Sequence, residues 1–146
     1  MTLISVIVPC YNEQDTIQKL LQALFDQTFQ RDQMEIVVAD GGSTDATRLR
    51  IVEFKESHPE LDIRIIENPK RTIPSGLNRA IEASRGDIII RLDAHSVPSA
   101  DYIQRCVDDL REELGDSVSG VWEIRPRDQG WQARSIAAAA SHRLGV

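Results

Sequence analysis

The chain has 146 residues, 41% of them apolar and 27% charged, which suits one globular domain with a real core or part of a larger one. Its formal net charge of −6 argues against nucleic acid as the main partner, because phosphate binding needs a basic face. Two cysteines, Cys10 and Cys106, make no disulfide framework, and neither a signal peptide nor a run near the ~20 apolar residues of a membrane span is present, so the expectation is a soluble, cytoplasmic protein.

Leu3 to Val8 is almost wholly apolar and ends at Pro9, which predicts a buried strand. After the turn Pro9-Cys10-Tyr11-Asn12-Glu13, the residues Ile17, Leu20, Leu21, Leu24 and Phe25 recur at the spacing of a core-facing helix. Glu35 to Ala39 predicts a second strand, stopped by Asp40-Gly41-Gly42-Ser43-Thr44-Asp45. Ser43 or Thr44 can cap a following helix that carries Leu49 and Val52. Leu61 to Ile66 alternates as a half-exposed third strand, and Asn68-Pro69 opens a loop through Lys70, Arg71 and Pro74. Leu77, Ala80 and Ile81, continued by Ser84, mark the next helix, ended by Gly86.

Ile88 through Ala94 is rich in isoleucine, and stiff β-branched residues in an apolar run predict a strand buried on both faces. Ile103, Val107, Leu110 and Leu114 mark another helix, ended by Gly115. Val118 to Ile124 reads as a fifth strand and Trp131 to Leu144 as a last helix. This alternation predicts an α/β fold with a mostly parallel sheet flanked by helices. The abrupt stop at Gly145-Val146, just after a helix, leads us to expect only part of a domain.

Asp93 and His95 stand at the exit of the isoleucine strand, and open α/β sheets bind ligands outside the carboxyl ends of their strands. A carboxylate and an imidazole together suit a divalent cation, Mg²⁺ or Mn²⁺. The plainer alternative makes Asp93 a turn cap and His95 a surface residue. A dinucleotide fold is excluded, because it needs Gly-x-Gly-x-x-Gly after the first strand and that turn holds no glycine. A Walker loop is absent as well. Arg91 is expected to pair with Asp87 or Asp93, and Cys10 has no neighbour to activate it as a nucleophile.

Three segments, Val6 to Glu13, Val37 to Asp45 and Leu92 to His95, together resemble the inverting family 2 glycosyltransferases, in order and spacing and over nearly the whole chain. The Asp-Ala-His-Ser variant is further similar to enzymes that extend bacterial exopolysaccharides such as succinoglycan. The resemblance implies the Rossmann-like, nucleotide-binding half of a GT-A fold, and a sugar passed with inversion from a UDP-sugar to a glycan or lipid-linked acceptor. Pro9, Tyr11 and Glu13 match the family's first nucleotide-contacting turn, where an aromatic ring packs on a nucleobase. Asp40 matches the acid that accepts the N–H of uracil, and cytosine would meet it with a lone pair instead. Arg71 matches a basic residue near the donor diphosphate, suited by its planar fork to phosphate oxygens. Gly76 and Asn78 match a similar Gly-x-Asn.

Asp93 matches the first acid of the family's metal-gripping Asp-x-Asp, whereas His95 replaces the second acid and carries no fixed negative charge. The family's general base falls beyond the point matching Val146, and membrane association of the whole protein would likewise come from a later region. Two other classes compete. A non-catalytic nucleotide-sugar-binding module would keep the Asp40 and Asp93 sites, and a nucleotidyltransferase would need a Gly-rich, Arg-containing N-terminal loop that is missing.

Overall fold

A computed structural model describes residues 3–112, 115–120 and 130–140. The chain divides into two compact units, Met1–Asp116 and Ser117–Val146. The first holds β1 (Ile4–Cys10), α1 (Ile17–Phe25), β2 (Met34–Asp40), α2 (Thr47–Ser57), β3 (Asp62–Glu67), α3 (Ile73–Ala83), β4 (Ile88–Arg91) and α4 (Tyr102–Arg111). The second holds α5 (Trp131–Ala140), with Trp131 exposed at its start. No helix among the described residues is long and apolar enough to cross a membrane.

The four strands form one parallel sheet in the order β3-β2-β1-β4. Two consecutive crossovers carry the chain from β1 out to β3, and the third returns it past β1 to β4. Because such crossovers are right-handed, that reversal places α3 on the opposite face from α1 and α2. On the α3 face, Ile7, Val37, Ala39 and Ala80 form a buried cluster with Ile66, Leu77 and Ala83 packed against it. Alternation turns Val6, Val8, Ile36 and Val38, all fully buried, to the other face. Of the predicted stripe, Ile17, Leu20, Leu21 and Leu24 are fully buried and Phe25 only partly, and α1 packs against α2.

Several elements depart from the sequence expectations. The buried face of α2 is Thr47, Ile51 and Phe54, whereas Leu49 and Val52 are 59% and 40% exposed. Neither Ser43 nor Thr44 caps it; the helix begins after Ala46, and the Asp45 carboxylate accepts the Thr47 N–H at 3.0 Å. On α3, Gly76 and Ala80 are buried while Ile81 is exposed. That helix ends at Ala83, before Gly86. Gly86 answers a different need: a Cβ there would sit 2.6 Å from the Ser5 backbone nitrogen and 2.8 Å from the Leu3 carbonyl oxygen.

β4 is not buried on both faces. Among the described residues it pairs with β1 alone, and Ile89 is 39% exposed while Ile90 and Leu92 are buried. An apolar run fixes neither strand position nor neighbours, nor what covers each of its two faces. The fifth strand expected at Val118 to Ile124 lies mostly outside the described residues, and 118–120 are not in a strand. Leu114, and the part of the last helix beyond Ala140, also fall outside them.

The amino ends of the strands are locked by one buried carboxylate. Glu35 accepts from the Ser5 hydroxyl at 2.5 Å, the Arg85 backbone N–H at 2.6 Å and the Arg64 guanidinium at 2.7 Å, with the Arg85 guanidinium at 2.8 Å. Burial opposes its charge, but these donors outweigh burial and hold its pKa near about 2. Arg85 also pairs with Asp62, and the Gly86 N–H donates to Ser5 Oγ at 2.8 Å.

Candidate functional site

The reversal of strand order makes a switch point between β1 and β4, and the crevice outside the carboxyl ends there is where such sheets bind ligands. Pro9 and Asp40 lie at the ends of β1 and β2, Tyr11, Glu13, Arg71, Asp93 and His95 follow strands β1, β3 and β4, and Gly76 and Asn78 lie in α3. Pro9 is accommodated near the end of central strand β1 by its position. Ile7 directs its carbonyl to β4 and Cys10 directs its carbonyl to β2, so Pro9 turns its nitrogen to the β4 side. The β1–β4 ladder has already ended there, and no rung is lost.

The loops after β1 and β2 are stitched together. The Gly41 N–H donates to the Cys10 carbonyl at 2.8 Å, the Asn12 N–H to Ser43 Oγ at 2.9 Å and the Thr44 N–H to Asn12 Oδ1 at 2.9 Å. Further along, the Gln14 N–H reaches Asp45 Oδ2, and the Ala46 N–H reaches Gln14 Oε1. The Thr47 hydroxyl accepts the Glu13 N–H at 2.8 Å and donates to Asp45 Oδ1 at 2.5 Å. Partial burial works against the Asp45 charge, yet the donors from Thr47 and Gln14 outweigh it and lower its pKa.

Among the described residues only Asn12 and Arg71 have positive φ without being glycine, at 53° and 54°, and Gly42 joins them at 75°. Left-handed backbone costs a non-glycine residue roughly 1 kcal/mol or more, so its concentration in these loops marks a site where shape outweighs ease of folding. The Arg71 N–H donates to the Asn68 carbonyl at 3.0 Å, and the Asn68 N–H to the Asp40 carbonyl at 2.8 Å, which ties this loop to the end of β2. The Arg71 guanidinium consequently lies against Gly42, with Nη2 3.5 Å from where a Cβ would stand.

Tyr11 is half exposed, its ring edge against Gly41. Asp40 lies beneath these loops with no exposed surface. Its carboxylate accepts from Ser43 Oγ at 2.5 Å, from the Ser43 N–H at 3.2 Å and from Arg48 Nη1 at 3.0 Å. Arg48 was not evident as a site residue from the motifs. One signal was available: it sits in the first turn of α2, where the helix dipole disfavours a cation unless an acid pairs with it.

At the switch point itself, Glu13 Oε1 lies 3.6 Å from His95 Nδ1, and Glu13 Oε2 accepts the Thr16 hydroxyl at 2.6 Å. Asp93 is partly exposed, with Oδ1 accepting from Arg91 Nη2 at 3.1 Å, one of the two pairings expected for Arg91. The Ser96 N–H and hydroxyl both donate to the Asp93 carbonyl, closing a tight turn that holds Asp93 and His95 at its start. Cys10 is buried, and burial together with the Asp40, Glu13 and Asp45 charges pushes its thiol up to about 12, so it is inert as a nucleophile. Thus the structure brings together Tyr11, Asp40 and Arg71 around Gly41-Gly42, and Glu13 with His95, while Asp93 bonds to Arg91.

The family model for Glycosyl transferase family 2 matches residues 5–144. The chain belongs to that family. Among similar proteins, the succinoglycan biosynthesis protein ExoA of Rhizobium meliloti is 36% identical over 115 residues, which are 77% of this chain and 34% of that protein. The mannosyltransferase PcManGT of Pyrobaculum calidifontis, solved in complex with GDP-Man and Mn²⁺, superposes with a TM-score of 0.78 at 32% identity, over 94% of this chain and 40% of that one. The glucosyl-3-phosphoglycerate synthase of Mycobacterium tuberculosis, solved with Mn²⁺, UDP and glucosyl-3-phosphoglycerate, superposes with a TM-score of 0.57 at 25% identity, over 75% of this chain and 39% of that one. The chain therefore spans little more than a third of the length of these relatives.

Proposed function

We propose that residues 1–146 form the nucleotide-sugar-binding part of one family 2 glycosyltransferase domain. The whole enzyme would transfer a sugar from a UDP-sugar to a glycan or lipid-linked acceptor with inversion, in polysaccharide synthesis. The observation that carries this is the convergence of Tyr11, Asp40 and Arg71 on the Gly41-Gly42 turn, beside a sheet switch point flanked by Glu13, His95 and Asp93. An aromatic face, a guanidinium and a carboxylate buried just beneath them around one turn would meet the three needs of a nucleoside diphosphate: stacking, phosphate charge and a base-edge contact. The catalytic base is assigned to sequence outside these residues.

A divalent cation, Mg²⁺ or Mn²⁺, is part of the proposal. Among the described residues no three His, Cys, Asp or Glu side chains are arranged to enclose a metal ion. Asp93 and His95 nevertheless offer a partly exposed carboxylate and an exposed imidazole two residues apart in one turn. Such an open pair fits a cation that takes its remaining ligands from phosphates and water, as hard cations at phosphate sites commonly do. When bound, the cation would neutralise diphosphate charge. Arg71 would hold phosphate oxygens and Tyr11 the base.

PcManGT was solved with GDP-Man, so the choice of uridine here rests on Asp40 rather than on family membership. Calorimetric titration of the chain with UDP, CDP and GDP, each with and without Mn²⁺, tests the reading. UDP should bind tightest and gain affinity from Mn²⁺. Preferred binding of CDP or GDP would overturn the uridine assignment, and no binding of any of the three would overturn the donor site.

A further inference from the structure

Asp40 poses a steric problem for the donor site proposed above. Its carboxylate has no exposed surface, and both oxygens already accept hydrogen bonds. A nucleobase N–H can reach it only if one present donor leaves. The Ser43 donors are held in place, the N–H by the turn itself and the hydroxyl oxygen by the N–H of Asn12 at 2.9 Å. Arg48 is different. Its side chain is 43% exposed, and the same Nη1 that donates to Asp40 Oδ2 at 3.0 Å also reaches Glu67 Oε1 at 2.7 Å. Glu67 stands at the end of β3 with its own side chain 62% exposed. The guanidinium therefore has a second holder on the solvent side, and leaving Asp40 would not strand its charge.

We propose that Arg48 is a specificity-determining residue, a displaceable occupant of the base-reading carboxylate. A base that presents an N–H takes its place on Asp40 Oδ2, while Glu67 keeps the guanidinium at the rim. A base that presents a lone pair cannot displace it, because that exchange would leave a buried acceptor facing an acceptor. Discrimination then arises from competition for one oxygen, and Glu67 sets how readily Arg48 yields. The inference rests on the assignment of Asp40 to the nucleobase and adds to it the pair that gates access.

Glu67→Gln is the informative variant, since Glu67 is exposed and its loss leaves the buried Asp40 contacts intact. Without the outer charge Arg48 stays on Asp40, and UDP affinity should fall roughly three- to fivefold, the scale of a partly exposed ion pair. CDP affinity should stay within about twofold, Glu67→Asp should restore much of the parent ratio, and added salt should shrink the parent's advantage because the outer pair is screened. The measurement is calorimetric titration of the full chain with UDP and CDP at low and high salt. A parent that prefers UDP, with a variant shifting both nucleotides equally or neither, overturns the role of Arg48 and leaves the Asp40 assignment standing. A parent that binds UDP and CDP equally overturns both.

Discussion

Glu13 and His95 face each other across the point where the sheet reverses its strand order, Oε1 to Nδ1 at 3.6 Å. One residue follows β1 and the other follows β4, so the pair joins the two loops that border the crevice. His95 thus faces Glu13, while Asp93, two residues earlier in the same turn, bonds to Arg91.

Asp93→Ala should remove the Mn²⁺ dependence of UDP binding, with a loss of about ten- to a hundredfold in the presence of the metal, the scale of a lost charged contact. His95→Ala should weaken the dependence less, since a neutral imidazole adds no fixed charge. Calorimetry with and without Mn²⁺ separates the two. UDP binding by the parent that is indifferent to Mn²⁺ would sink the metal assignment.

Asp40→Asn should narrow the preference for UDP over CDP, which in the parent should be at least ~1 kcal/mol. An amide can present either a donor or an acceptor to the base. The same change should cost on the order of 2 kcal/mol of stability, because the amide replaces a buried charge that accepts from both Ser43 and Arg48. Affinity ratios measured below the melting transition, together with a denaturation curve, check both halves.

Glu35 predicts an acid-sensitive sheet. Its carboxyl falls from 4.5 to about 2 on folding, so the stabilisation is complete above about 4.5 and disappears as pH drops toward 2. Glu35→Gln should cost about 3 kcal/mol near neutral pH, because a neutral amide replaces a buried carboxylate that accepts from Ser5, Arg64 and Arg85. It should also flatten the decline in stability below pH 4.5. Urea midpoints at pH 6, 4 and 3 for the two proteins test this, and parallel curves would refute the assignment.

Gln27 ties the end of α1 to the segment before α4. Its amide donates to the Ala23 and Ser99 carbonyls at 3.0 and 2.7 Å and accepts the Ile103 N–H at 3.0 Å. Gln27→Leu keeps the bulk but leaves buried polar groups unmet, and should lower stability by about 2–3 kcal/mol. Chemical denaturation gives the value, and a change under ~0.5 kcal/mol would show that the tie is dispensable.

The strands and helices of the first unit were legible where one pattern had no rival. Ile17, Leu20, Leu21 and Leu24 admit a single phase, and all are buried. α2 carries two apolar stripes on opposite sides, Leu49 with Val52 and Ile51 with Phe54, and only tertiary packing, in which α2 meets α1, selects the second. The exposure of Ile89 depends on what covers that face of β4, a long-range property that local hydrophobicity does not encode. At the site, the motif loops are adjacent in space as their places at strand ends required. Arg48 was hidden because its meaning depends on two acids, 8 and 19 positions away, that the fold brings to one nitrogen.

The stitching of Asn12 to Ser43 and Thr44, and of Gln14 to Asp45 and Ala46, makes the β1 and β2 exit loops a single stiff piece before any ligand arrives. A slot already ordered surrenders little conformational entropy when filled. Nucleotide binding at this crevice should therefore be enthalpy-led, with a small heat-capacity change set by the apolar face of Tyr11 rather than by the folding of loops around the ligand.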